Sequence, residues 1–171
     1  MLNFSVGALI AKSQGAKENF SVDEPVNFEN EGDPKLTDNV VFTVQFLKLP
    51  REINVQIKNL KTQAQCVCSR CLKKFLCNIE VPFAEREFII DLPVADIEEG
   101  EDVRYVNKET NRIDLTDMVR EEILLHFSLV PVCSDSCKGL CDKCGINLNE
   151  KTCLCEHDDK KKISPFRFLT R

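Results

Sequence analysis

Apolar and polar positions alternate through "TDNVVFTVQFL" (residues 37–47), where Val40, Phe42, Val44 and Phe46 take every second place. A period of two marks a strand with one buried face. Ile53, Val55 and Ile57 repeat it in "EINVQIKNL". Beyond them "LKTQAQCVC" and "FLCNIEVPF" read as two more strands flanking "SRCLKK", and "EREFII" as a further one. The turn-rich "EGDPKLTDN" precedes this series. Short consecutive strands predict an antiparallel sheet or an open barrel.

The period then changes. In "IDLTDMVREEILLHF", Leu115, Met118, Val119, Ile123 and Phe127 fall on one face at helical spacing, which predicts a helix near 115–127 packed on the sheet. Asp114 is placed to cap it and Asp117 favours its first turn, while Glu121 and Glu122 are assigned to its wet face. Pro131 closes the helical region. The acidic "DLPVADIEEGED" before the helix has no period and reads as a loop. The expected fold is therefore α+β. An antiparallel β-rich domain with one packed helix spans 1–130, a cysteine-rich, zinc-knuckle-like segment spans 131–157, and a basic tail spans 158–171.

Composition adds a class. The 171 residues are 43% apolar, enough for a packed core and too apolar for wholesale disorder. The N-terminal apolar patch has no basic residue before it and is short for a secretory signal. No run reaches the ~18 apolar residues of a membrane helix. The expectation is a cytoplasmic or similarly reducing location without membrane contact, where disulfides are not favoured. The formal net charge of −5 argues against a surface that grips phosphate throughout. Charge is uneven, however: eight acids face one arginine between Glu85 and Asp102, and five basic residues with no acid lie between Lys160 and Arg171. The acidic run reads as solvated surface or as a face for a basic partner.

Ten cysteines in a reducing compartment point to metal. Zinc holds each sulfur at about 2.3 Å, so its ligands must gather within about 4 Å of one another. Cys141 and Cys144 do so across a Cys-x2-Cys turn, with Gly145 permitting the tight reversal, and Cys153 and Cys155 return after an eight-residue loop. A possible second site joins Cys68 and Cys71 of "CSRC" to Cys133 and Cys137, if the helix packs back across the sheet. One or two zinc ions are implied. Alternatively "CSRC" is a pair of semi-buried thiols, or a redox motif, although a thioredoxin-type site would begin a helix rather than sit in a strand-rich hairpin. Cys66 and Cys77 read as small buried hydrophobes.

Four thiolates around zinc leave no position for substrate water. Elsewhere the catalytic inventory is thin. His126 and His157 read as helix-end and tail residues, and no phosphate loop or Ser-His-Asp order is present. No catalytic residue is assigned. A zinc-linked thiol redox sensor is one rival. Another is a metal-dependent nuclease using Asp96, Glu98, Glu99 and Asp102 as ligands.

At "CSRCL", the acidic loop, "IDLTDMVREEILLHFSLVPVC" and "CKGLCDKCGINLNEKTCLC", the chain resembles the YceD family of large ribosomal RNA subunit accumulation proteins. The likeness runs well from Cys66 to the C-terminus and loosely before it. Its most specific elements are the Cys-x-Arg-Cys turn, "GLCDKCG" with "NLN", and the terminal "PF". The resemblance implies a non-enzymatic ribosome biogenesis factor that supports accumulation or processing of large-subunit rRNA. It also implies a core site at Cys68, Cys71, Cys133 and Cys137, with the distal set an addition found in some members. The extra thiols at Cys66 and Cys77 depart from that pattern. Expected partners are large-subunit rRNA precursor particles, a basic large-subunit ribosomal protein, or both. Lys160, Lys161, Lys162, Arg167 and Arg171 are candidates for phosphate contact. Arg70 is either a polar contact on the hairpin or ordinary surface charge.

Overall fold

The alternating stretches become long strands in the computed structural model, which describes residues 2–28, 32–90 and 104–155. In chain order these are β1 (Asn3–Ser5), the single-turn α1 (Gly7–Ile10), β2 (Lys17–Glu24), β3 (Val40–Lys48), β4 (Glu52–Val67), β5 (Lys74–Ile89), β6 (Arg104–Tyr105), β7 (Arg112–Asp114) and α2 (Thr116–His126). The fold is strand-rich. One sheet has the order β2-β3-β4-β5-β6, and β1 pairs with β7 in a separate two-stranded sheet. Neighbours are antiparallel except β5 and β6, which run parallel, so the expected antiparallel sheet is mixed at one edge.

The separate strands expected around "EINVQIKNL" and "LKTQAQCVC" are one 16-residue strand, β4, and "FLCNIEVPF" continues into "EREFII" as β5. The reason lies at Asn59. Apart from Asn54, buried residues on β4 fall at Ile53, Val55 and Ile57, then shift phase to Leu60, Thr62, Ala64 and Cys66. Asn59 takes a left-handed φ of 53°, and the β3–β4 register slips by one residue there. This is a β-bulge. The phase shift crosses to β5, where Val81 and Ala84 are buried on either side of Pro82 and the exposed Phe83. Pro82 lacks an amide to donate, and it sits opposite the bulge on a stretch of β5 that β6 does not cover. A strand read by a strict period of two appears to end at such a step, although the chain runs on.

β3 pairs with β4 only as far as Lys61, so the β4–β5 hairpin projects beyond the sheet. Residues 35–37 line its base, with Gln65 N–H donating to the Lys35 carbonyl and Thr37 N–H to that of Gln63. The hairpin's tip is "SRCLK", where the proximal cysteine turn lies.

The core lies between the sheet, α2 and the N-terminal segment. Leu2, Val6 and Leu9 of the N-terminal apolar patch are buried in it. Phe4, Phe20 and Phe46 meet with ring centroids 5.3–5.7 Å apart, an arrangement worth about 0.5–1.5 kcal/mol per aromatic pair beyond burial. The helix presents Met118, Val119 and Ile123 to the core as expected, preceded by buried Leu115. The Asp114 carboxylate accepts the Thr116 amide at 2.8 Å, satisfying one of the first-turn donors.

Glu122 departs from the expectation of a wet face. It is buried, because it lies on the same helical face as Met118 and Val119, and Arg86 of β5 reaches its carboxylate at 3.1 Å. Glu121 binds Arg104 at 2.6 Å and lies 3.6 Å from Arg86. These pairs, with that between Arg120 and Asp33, fasten the helix to its surroundings. No helix among the described residues is long and apolar enough to cross a membrane.

Candidate metal centre

The projecting tip brings Cys68 and Cys71 to Cys133 and Cys137, while Cys141 and Cys144 meet Cys153 and Cys155. Within each group of four, all sulfurs lie within 4.8 Å of one another. Closest approaches are 3.8 Å for Cys68–Cys137 and 3.6 Å for Cys71–Cys133 in the proximal group. In the distal group they are 3.5 Å for Cys144–Cys153 and 3.3 Å for Cys153–Cys141. Ligands about 2.3 Å from a tetrahedral zinc stand roughly 3.8 Å apart. The sulfurs are therefore too far apart for disulfides and close enough within each group to share one ion. With eight thiols, and neither carboxylate nor imidazole in either group, the donor set suits a soft or borderline ion.

Both Cys-x2-Cys turns are the same structure built from different residues. In the proximal turn, Cys68 N–H donates to the Lys73 carbonyl and Leu72 N–H to the Cys68 carbonyl. In the distal turn, Cys141 N–H donates to the Ile146 carbonyl and Gly145 N–H to that of Cys141. Arg70 N–H and Lys143 N–H then point at the first sulfur of their respective turns, each at 3.4 Å. The residue after the second cysteine is left-handed in both, Leu72 at φ 58° and Gly145 at φ 71°.

These amide donors shape the thiol acidities. Burial opposes ionisation of Cys68, but the amides of Cys133, Cys71 and Arg70 bring it down to about 6. The Cys144 amide does most to bring Cys141 to about 6, against burial and with help from the Lys143 amide. Cys133 is pushed up to about 12 by burial and by the neighbouring thiols of Cys137 and Cys71. Cys137 is lowered too, against burial, by the Gly139 amide and the Asn149 side chain, so each group offers at least one sulfur that ionises readily, and a bound cation would draw the remaining protons off.

The segment after Pro131 packs against the hairpin tip. Cys68, Cys71 and Cys137 form a small core with Phe75, Val132 and Leu140, apart from the main one. Ser69 N–H donates to the Pro131 carbonyl, and Leu140 N–H to that of Arg70. Arg70, expected as a partner contact or ordinary surface charge, donates through its guanidinium to the carbonyls of Asp135 and Cys137 at 3.2 and 3.3 Å. It therefore ties the tip to the segment, and its charge is left without a counter-ion among these contacts.

Gly139 lies against the same turn. A Cβ there would stand 3.2 Å from the Arg70 carbonyl oxygen, and its φ is 77°. Gly139→Ala should cost about 1–2 kcal/mol for the left-handed backbone alone. Faster proteolysis after Pro131, with the β-sheet's thermal transition little changed, is the expected result; an unchanged cleavage rate would count against the packing.

Sequence reasoning missed Asn149. Its side-chain amide donates to Cys137 Sγ at 3.4 Å and its carbonyl accepts the Lys138 amide at 2.8 Å, so the loop between the distal cysteine pairs supports a proximal sulfur. The signal available was "NLN", an Asn two residues from another; Asn147 Oδ1 accepts both the backbone amide and the side-chain amide of Asn149.

Cys66 and Cys77 also depart from expectation, forming a disulfide between β4 and β5. The pairing Ala64↔Cys77 and Cys66↔Phe75 places them diagonally on one face, where two separate small hydrophobes were expected. No spacing rule marks a pair separated by a hairpin. His126 ends α2 as read from the sequence, with Nδ1 2.9 Å from the Glu122 carbonyl. His157, the loop carboxylates Asp96, Glu98, Glu99 and Asp102, and the tail cations Lys160, Lys161, Lys162, Arg167 and Arg171 lie outside the described residues.

Residues 58–170 match the family model described as large ribosomal RNA subunit accumulation protein YceD. The chain is similar to "Large ribosomal RNA subunit accumulation protein YCED homolog 1, chloroplastic" of Arabidopsis thaliana, 36% identical over 62 residues, which are 36% of this chain and 19% of the relative. It is also similar to the protein of the same name from Zea mays, 39% identical over 56 residues, 32% of this chain and 19% of the relative. The matched part spans about a fifth of the length of these relatives. No solved structure matches.

Proposed function

The chain belongs to the YceD family, and on that premise we propose that it supports accumulation of large-subunit ribosomal RNA as a non-enzymatic biogenesis factor, with structural zinc in both cysteine groups. The observation that carries the metal reading is the pair of all-thiol groups, each with its four sulfurs within 4.8 Å of one another. Bound zinc would supply coordination that the small apolar cluster around Phe75, Val132 and Leu140 is too small to replace. Cys68, Cys71, Cys133 and Cys137 hold one ion, and Cys141, Cys144, Cys153 and Cys155 the other. With four sulfurs on each ion no position remains open for water, so the centres hold shape and do not activate a nucleophile.

The protein works as a scaffold. Its cysteine groups fix the hairpin tip and the C-terminal segment for presentation to large-subunit precursor particles, to a basic ribosomal protein, or to both. The names of the relatives, which concern large-subunit rRNA accumulation, support the process. Those names place the relatives in chloroplasts, and for this chain the proposed site of action is the cytoplasm or an organelle where large-subunit rRNA matures.

The test is gentle recovery of the tagged protein from cells and sedimentation at low and raised salt, followed by RNA sequencing and protein identification. Enrichment of large-subunit precursors, lost as salt rises, is expected. Recovery free of both precursor RNA and ribosomal proteins would overturn the reading.

A thiol sensor is the second reading, favoured by the Cys66–Cys77 disulfide two residues from Cys68. It requires a rapidly alkylated thiol in the native, metal-loaded protein. Slow, uniform alkylation until a chelator is added supports the structural role.

A further inference from the structure

The two cysteine turns share one backbone, yet differ at the residue that pays for it. A left-handed conformation favours glycine, as at Gly145. At the same place in the proximal turn stands Leu72, with φ 58° and 63% of its surface exposed. Leucine is disfavoured there twice over. Its Cβ crowds the following carbonyl in the left-handed region, and its apolar side chain gains little from burial within this chain. Strain at an exposed position with no structural return is the mark of a functional contact.

Its surroundings say what kind. Lys73 and Lys74 follow Leu72 directly, Arg70 precedes it by two residues, and residues 67–79 contain no acid. None of these three cations forms an ion pair among the described residues. Val67 and Leu76, on the strands leading to the turn, are also exposed, at 47% and 56%. In a chain of net charge −5 this is a local cationic tip with an apolar point. It is held by the proximal cysteines, by Arg70's bonds to the C-terminal segment and by the Cys66–Cys77 crosslink.

We infer that the hairpin tip is a contact for single-stranded RNA, with Leu72 packing against an exposed base while Lys73, Lys74 and Arg70 face the flanking phosphates. The inference rests on the ribosomal reading above for its choice of RNA over other polyanions. An apolar side chain can meet the face of any base, and lysines neutralise phosphate without regard to sequence, so the contact tolerates sequence variation. A rigid tip also loses little freedom on binding.

The test uses the full metal-loaded chain and a fluorescently labelled single-stranded oligouridylate, with binding followed by anisotropy at several salt concentrations. Leu72→Gly is the informative variant, because it relieves the backbone while removing the side chain. Its metal content should be unchanged and its thermal stability equal or higher, while affinity falls about fivefold, the scale of a leucine losing part of its burial. Lys73→Ala with Lys74→Ala should weaken binding and flatten the dependence of log K on log salt by about 0.7 per lysine. Wild-type affinity and salt slope in these variants would overturn the proposal.

Sedimentation of the same variants with precursor particles separates the remaining cases. If they leave the particles while binding oligouridylate normally, the tip contacts a protein and the RNA assignment is wrong. If the wild type itself fails to sediment with precursors, the ribosomal reading falls, whereas the tip is judged by the oligonucleotide alone.

Discussion

Replacing Cys68 by serine is expected to empty the proximal centre and release both the hairpin tip and the chain from Val132 onward. Cys68 is fully buried, and its sulfur accepts the amides of Arg70 and Cys133 at 3.4 Å. A serine hydroxyl is shorter and does not ionise to supply a fourth thiolate. Structural zinc contributes about 10–16 kcal/mol of apparent binding energy in small modules, comparable to the ~5–15 kcal/mol net stability of a whole domain. The small core of Cys68, Cys71 and Cys137 is separate from the main one, so the loss should stay local. Zinc content per chain should fall by one or more, and hydrogen exchange should rise across the tip and residues 132–155 while β3 and the sheet end of β4 stay protected. Full zinc content in the purified variant would sink the proximal assignment.

Cys144→Ser should have the second largest effect, and a narrower one. Cys144 is exposed, and its loss leaves the distal group with three sulfurs. Zinc should drop from two ions to one, with new proteolytic cleavage beyond Gly139, because the proximal centre still anchors Cys133 and Cys137. The same change should reach the proximal centre indirectly. Asn149 sits in the loop held by the distal cysteines and donates to Cys137 Sγ, and loss of such a supporting bond typically costs about 10–100-fold in metal affinity. Competition with a chelator should therefore strip the remaining ion more easily than in a wild-type chain. Unchanged zinc content would refute the distal site; unchanged chelator resistance of the remaining ion would refute the link through Asn149.

Much of this molecule was legible locally. The alternation from Val40 to Phe46 and the helical face of Met118, Val119 and Ile123 are periodic signals, and periodicity follows directly from the geometry of strand and helix. Cysteine spacing likewise placed the distal group, since Cys-x2-Cys with a following glycine closes a turn within one short stretch of chain. The proximal group was legible in its members, which the resemblance to the YceD family supported, but not in its meeting. Sixty-one residues separate Cys71 from Cys133, and only packing across the sheet fixes such a distance.

What the sequence determined by itself was the alternation of β3 and of the two halves of β4, the buried face of α2 and the donors the cysteine turns could offer, because these depend on neighbours within a few residues. Tertiary structure decided the rest. It merged the predicted strands through the Asn59 bulge, whose phase shift imitates a strand end. It buried Glu122 by supplying Arg86 from another element, and it paired Cys66 with Cys77 across a hairpin. It turned Arg70 toward the carbonyls of Asp135 and Cys137 and brought Asn149 to a sulfur of the other centre. Each depends on a partner distant along the chain, whose position is set by the balance of packing over the whole fold.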